Sequence, residues 1–123
     1  MCIRDRLYVA AGADAIFPEA LESKEEFAAF ARALAPTPLL ANMTEFGRSP
    51  NLDFVELAEL GYRMVLYPVT ALRAALGAAR AALTDIFAKG HQRDQLGRML
   101  TRAELYDLLD YAGYEERDRS YFG

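Results

Sequence analysis

The chain has 123 residues, a net charge of −4 and a single cysteine, Cys2. That length suits one domain and is too short for a complete (β/α)8 barrel of ~250 residues. A hydrophobic share of 53% excludes a disordered tail, the acidic balance argues against nucleic acid, and one cysteine permits no internal disulfide.

No apolar run reaches the ~18 residues of a membrane span, so no membrane partner is expected. Residues 1–6 mix both charges and lack the apolar stretch of a leader peptide. They read as a non-native start, which removes Cys2 from any chemical argument.

In chain order, the first short apolar run is Asp14-Ala15-Ile16-Phe17, stopped by Pro18. Helix signals follow. Ser23 stands three residues before Glu26, ahead of Phe27, Phe30 and Leu34. The second run, Thr37 to Ala41, ends at Asn42. Asp53 with Glu56 repeats the capping spacing before Leu57 and Leu60. The third run is Arg63 to Tyr67, stopped by Pro68. Each run reads as a buried strand. The starts lie 23 to 26 residues apart, which leaves room for one crossover helix and suits a parallel sheet. Gly12 and Gly61 each precede a run, where a helix end favours a left-handed residue. Val69 to Ala88 reads as a long Ala-rich helix ended by Gly90.

From His91 onward no strand-like run appears. Thr101 with Glu104 forms a third capping pair, before Leu105 and Leu108. Tyr106, Tyr111, Tyr114, Tyr121 and Phe122 add an aromatic cluster, read as packing. His91 is the only histidine and has no partner at metal spacing. The pattern is α/β, with two architectures open. One is a small open sheet. The other is the C-terminal part of a (β/α)8 TIM barrel, about three strands followed by a helical tail. The lack of a glycine-rich phosphate loop favours the second.

Parallel α/β folds bind ligands where strands end. Glu19 follows the first run; Asn42, Thr44 and Glu45 follow the second; Tyr67, Pro68 and then Arg73 follow the third. An acid, an amide, a hydroxyl and a guanidinium suit a carboxylate-bearing substrate. Each also has an ordinary reading. Glu19 could be a loop acid, Asn42 and Thr44 turn residues, Arg73 a solvated helix residue, and Arg102 part of a helix cap.

Residues 11–20 (AGADAIFPEA), 40–47 (LANMTEFG), 66–73 (LYPVTALR), 101–106 (TRAELY) and Asp110-Tyr111 with Tyr114-Glu115-Glu116 carry more than periodicity. Over residues 7–123 the chain resembles the 2-methylisocitrate lyases, a branch of the isocitrate lyase/phosphoenolpyruvate mutase superfamily. The resemblance implies a partial barrel in residues 7–90 and a helical tail of the same domain in residues 91–123. It further implies a cytoplasmic homotetramer when full length, with tail helices exchanged between subunits. The implied activity is Mg²⁺-dependent cleavage of 2-methylisocitrate, a tricarboxylate, to pyruvate and succinate in propionate breakdown. Glu19, Asn42, Met43, Thr44, Arg73 and Arg102 match substrate-binding positions. The family's magnesium ligands and catalytic cysteine fall before this chain begins, so no catalytic or metal residue is expected in it, nor turnover by it alone. A related superfamily enzyme (isocitrate lyase or oxaloacetate decarboxylase) and a non-catalytic helical assembly module are the alternatives.

Overall fold

The computed structural model describes residues 3–122; Met1, Cys2 and Gly123 lie outside the described residues. The chain divides into two compact units, Met1–Gly77 and Ala78–Gly123.

The first unit opens with helix α1, Ile3–Ala10. This helix runs through Arg6 and Leu7 without a break. Gly12 follows it at φ 100°, the left-handed backbone that glycine adopts without a Cβ penalty. Helix α2, Lys24–Leu34, begins as its sequence indicates. The Glu26 N–H donates to Ser23 Oγ at 3.2 Å, and the Glu26 carboxylate accepts from the Glu22 N–H at 2.7 Å. Phe27, Phe30, Ala31 and Leu34 fall at the i, i+3, i+4, i+7 spacing and all four are buried.

Strand β1, Leu40–Asn42, pairs in parallel with β2, Met64–Leu66, with Asn42 opposite Leu66. Helix α3, Phe54–Leu60, forms the crossover between them. Its capping box is complete: Asp53 accepts from the Glu56 N–H at 2.8 Å, and Glu56 accepts from the Asp53 N–H at 3.1 Å. Gly61 closes the helix at φ 103°. Core side chains from these elements include Ile16, Phe27, Phe30, Leu34, Leu39, Ala41, Met43, Leu57 and Tyr62.

Three strand expectations need correction. The first run is not a strand: it reduces to one parallel bridge, Ile16 with Leu39. Ile16 receives one bond through Leu40 N–H and gives one to Pro38 C=O. Pro38 and Pro18 have no N–H to extend the ladder, so pairing stops after one residue. The third run is a strand but not a buried one, since Met64 and Leu66 are 39% and 41% exposed. β2 is the outermost strand of the two-stranded sheet, so only β1 is flanked on both edges. The second run also starts later than expected, at Leu40 rather than Thr37.

Helix α4, Thr70–Lys89, begins in the first unit and continues into the second, and none of its residues is buried. Gly90 follows it at φ 71°. In the second unit a 3-10 turn, Arg93–Arg98, precedes α5, Arg102–Leu108, and α6, Tyr111–Phe122. Thr101 and Glu104 form the expected capping box on α5. The expected aromatic packing reduces to one pair: the Tyr106 and Tyr111 rings stack at 4.4 Å, while Tyr114, Tyr121 and Phe122 are exposed. Among the described residues the main helix contact of α5 is with α6. No described helix is long and apolar enough to cross a membrane.

Candidate functional site

The parallel pairing sends the ends of β1 and β2 to the same edge of the sheet. The ladder runs one residue further, as the Met43 N–H donates to Leu66 C=O at 2.8 Å. The chain after β1 therefore begins its loop beside the chain after β2. The bridge at Ile16 is also parallel, and Glu19 follows it by three residues.

Arg73 and Thr70 stand three apart at the start of α4, on one helix face. Both reach Glu45 in the loop after β1. Arg73 Nη1 donates to Glu45 Oε2 at 2.7 Å and to the Glu45 main-chain carbonyl at 2.8 Å. Thr70 Oγ1 donates to the other carboxylate oxygen of Glu45. The guanidinium also lies over the Phe46 ring, 5.4 Å from its centre. The Thr70 hydroxyl first, then a main-chain N–H and Arg73, hold the Glu45 carboxyl below the usual carboxylate range.

Asn42 ends β1, and its Oδ1 is buried without a hydrogen-bond partner. A buried amide oxygen left unpaired is costly in an ordinary strand and common where a ligand is to be met. Met43 is 4% exposed, a core side chain. Its N–H is bonded to Leu66 C=O. Thr44 is half-buried beside it. Glu19 is exposed and follows the buried Pro18; it makes no ion pair among the described residues.

Arg102 belongs to the second unit, where it is the exposed first residue of α5 after the Thr101 cap. In the first unit, the structure brings together Asn42, Met43, Thr44 and Arg73 at one sheet edge. Sequence reasoning placed Glu45 at this rim without a role, and assigned none to Thr70 or Phe46. The three-residue spacing of Thr70 and Arg73 at a helix start was the available signal. A hollow of about 550 Å³ beside α1, lined by Arg4, Asp5, Tyr8, Ile16 and Phe17 among others, holds none of the six expected residues. No three of His, Cys, Asp and Glu stand together as a metal site among the described residues. At the rim the Glu45 carboxylate is committed to Thr70 and Arg73 rather than free for a cation.

The chain matches the family model described as phosphoenolpyruvate phosphomutase over residues 2–87. It is 53% identical to a 2-methylisocitrate lyase of Aeropyrum pernix, covering 94% of this chain and 37% of that protein. It is 48% identical to a 2-methylisocitrate lyase of Bacillus subtilis, over 95% of this chain and 38% of that protein. Among solved structures it is similar to oxaloacetate acetylhydrolase in complex with the product oxalate. There the TM-score is 0.82 at 31% identity, over 96% of this chain and 40% of the other. The chain thus spans less than two-fifths of the length of these curated relatives.

Proposed function

Because the chain belongs to the phosphoenolpyruvate phosphomutase family, we propose that it forms part of a (β/α)8-barrel lyase that cleaves 2-methylisocitrate to pyruvate and succinate. The observation that carries this reading is the pairing of opposite needs at one sheet edge. Asn42 Oδ1 is an acceptor lacking a donor, and Arg73 is a cation held by one nitrogen. A hydroxy acid supplies a hydroxyl for the first and carboxylates for the second. Neither need is met by an apolar ligand.

The chemistry follows from those groups. Breaking the carbon–carbon bond leaves negative charge on the carboxylate-bearing fragment. A guanidinium pairs with that charge through parallel N–H donors and stabilises it as it grows. Nε and Nη2 of Arg73 remain for this, because the contacts to Glu45 use Nη1. Asn42, the Met43 carbonyl and Thr44 orient the substrate's polar groups. Glu19 and Arg102 are assigned to the same substrate on the resemblance alone. The same holds for Mg²⁺, the cytoplasmic homotetramer and the place in propionate breakdown. No residue of this rim is assigned to the cation. The higher identity to 2-methylisocitrate lyases favours this substrate over those of the oxaloacetate-cleaving neighbour.

A chimera tests the reading. Residues 7–123 replace the matching segment of the Bacillus subtilis lyase, and pyruvate release from 2-methylisocitrate is followed with Mg²⁺ present. Pyruvate is expected. Arg73→Ala in that chimera is expected to lower kcat/KM about 30-fold, the loss typical of a hydrogen bond to a charged group. A chimera that cleaves only another acid, or an Arg73→Ala change without effect, refutes it.

A further inference from the structure

We propose that Glu45 is a positioning residue for Arg73, fixing which edge of the guanidinium faces the substrate. The inference rests on the reading of Arg73 as a substrate-carboxylate ligand. A free arginine side chain samples many rotamers, and its fork binds carboxylate well only when one edge is aimed. Here Nη1 is tied twice to one residue, once to the carboxylate and once to the main-chain carbonyl. Thr70, one turn earlier on α4, holds the second carboxylate oxygen, so Glu45 cannot swing away with the arginine. Phe46 lies against the guanidinium face. It does so from a left-handed backbone, φ 63°, which a bulky aromatic rarely adopts. Nη2 and Nε form the remaining edge.

Magnitudes separate positioning from simple stability. The side chains of Arg73 and Glu45 are 44% and 27% exposed. An ion pair that wet contributes little to folding. What it changes is the number of arginine orientations, and hence the fraction of molecules ready to bind. Thr70, a main-chain N–H and Arg73 lower the Glu45 carboxyl pKa below its ordinary value, as an anchored carboxylate requires.

Two measurements test this. The first is ¹⁵N NMR of the arginine side chain in the 123-residue chain. Arg73 is expected to show separate, slowly rotating Nη signals, which merge in Glu45→Gln. Thr70→Val is expected to give partial merging. The second is kinetic, in the chimeric lyase. Glu45→Gln is expected to lower kcat/KM about tenfold, within the range of coupled neighbours, with the melting temperature unchanged. The double variant Glu45→Gln/Arg73→Ala is expected to be no slower than Arg73→Ala alone, because Glu45 acts only through Arg73. Separate Nη signals that persist in Glu45→Gln, or additive losses in the double variant, overturn the proposal. An Arg73→Ala variant with full activity refutes the functional reading instead, whatever the NMR result.

Discussion

Replacing Asn42 with leucine is expected to stabilise the first unit while disabling the site. Asn42 ends β1 with its Oδ1 buried and unpartnered. Leaving such an amide group unpaired costs about 1–3 kcal/mol. Leucine has nearly the same branching and asks for no partner. The residue as a whole is half-buried. The expected gain is therefore about 1–3 kcal/mol. A unit of this size is held by only about 4–12 kcal/mol in total, so the change is easily measured. Native-state amide exchange reads it locally. The Leu40 N–H is bonded to Ile16 C=O at 3.0 Å and the Met43 N–H to Leu66 C=O at 2.8 Å, one on each side of Asn42. Both are expected to exchange about 5- to 150-fold more slowly, at a factor of ten per 1.4 kcal/mol. In the chimeric lyase the same change lowers activity, so stability and function move in opposite directions. Exchange that is unchanged or faster in Asn42→Leu refutes the reasoning, because Oδ1 would then carry no penalty for a ligand to relieve.

Two further predictions concern the scaffold. Leu57 is fully buried, and Leu57→Ala removes three carbons there; at about 0.8 kcal/mol per methylene plus a cavity penalty, the loss is about 3–4 kcal/mol. Leu83→Ala on α4, at a residue 66% exposed, is expected to stay within about 0.5 kcal/mol. Denaturant titration of both variants compares them, and equal losses contradict the placement of the core. Burial also raises the phenol pKa of Tyr62 above its ordinary value. The folded state then holds that proton more tightly than the unfolded chain. Stability is thus full below pH ~10 and falls as pH rises past the unfolded pKa. Tyr62→Phe is expected to remove part of that alkaline loss and to forfeit only a long hydrogen bond to Phe27 C=O, 3.4 Å. Denaturation midpoints at pH 8 and pH 11 that fall as steeply in Tyr62→Phe as in the parent chain count against it.

Features set by near neighbours are legible in the residues themselves. Each capping pair joins residues three apart, so the Ser23, Asp53 and Thr101 helix starts are written in a single turn of chain. The apolar stripe of α2 and the left-handed glycines at Gly12, Gly61 and Gly90 are local in the same sense. The strand-like runs are harder. Their apolar content shows where a strand could form, but pairing depends on what a neighbour can donate. Pro18, beside Ile16, ends the ladder on one side, but on the other side the limit comes from Pro38, 22 residues beyond Ile16.

At the site, the order of residues along the chain establishes which polar types stand at the strand ends, and the resemblance that links them to a carboxylate substrate. How those residues divide the work is a product of folding. Folding buries the Met43 side chain, strands Asn42 Oδ1, and joins Arg73 to Glu45 across 28 residues of chain. Burial and ion pairing depend on distances in space, whereas a sequence states distances only along the chain. Where the two coincide, at helix caps and helix faces, the residues alone are enough.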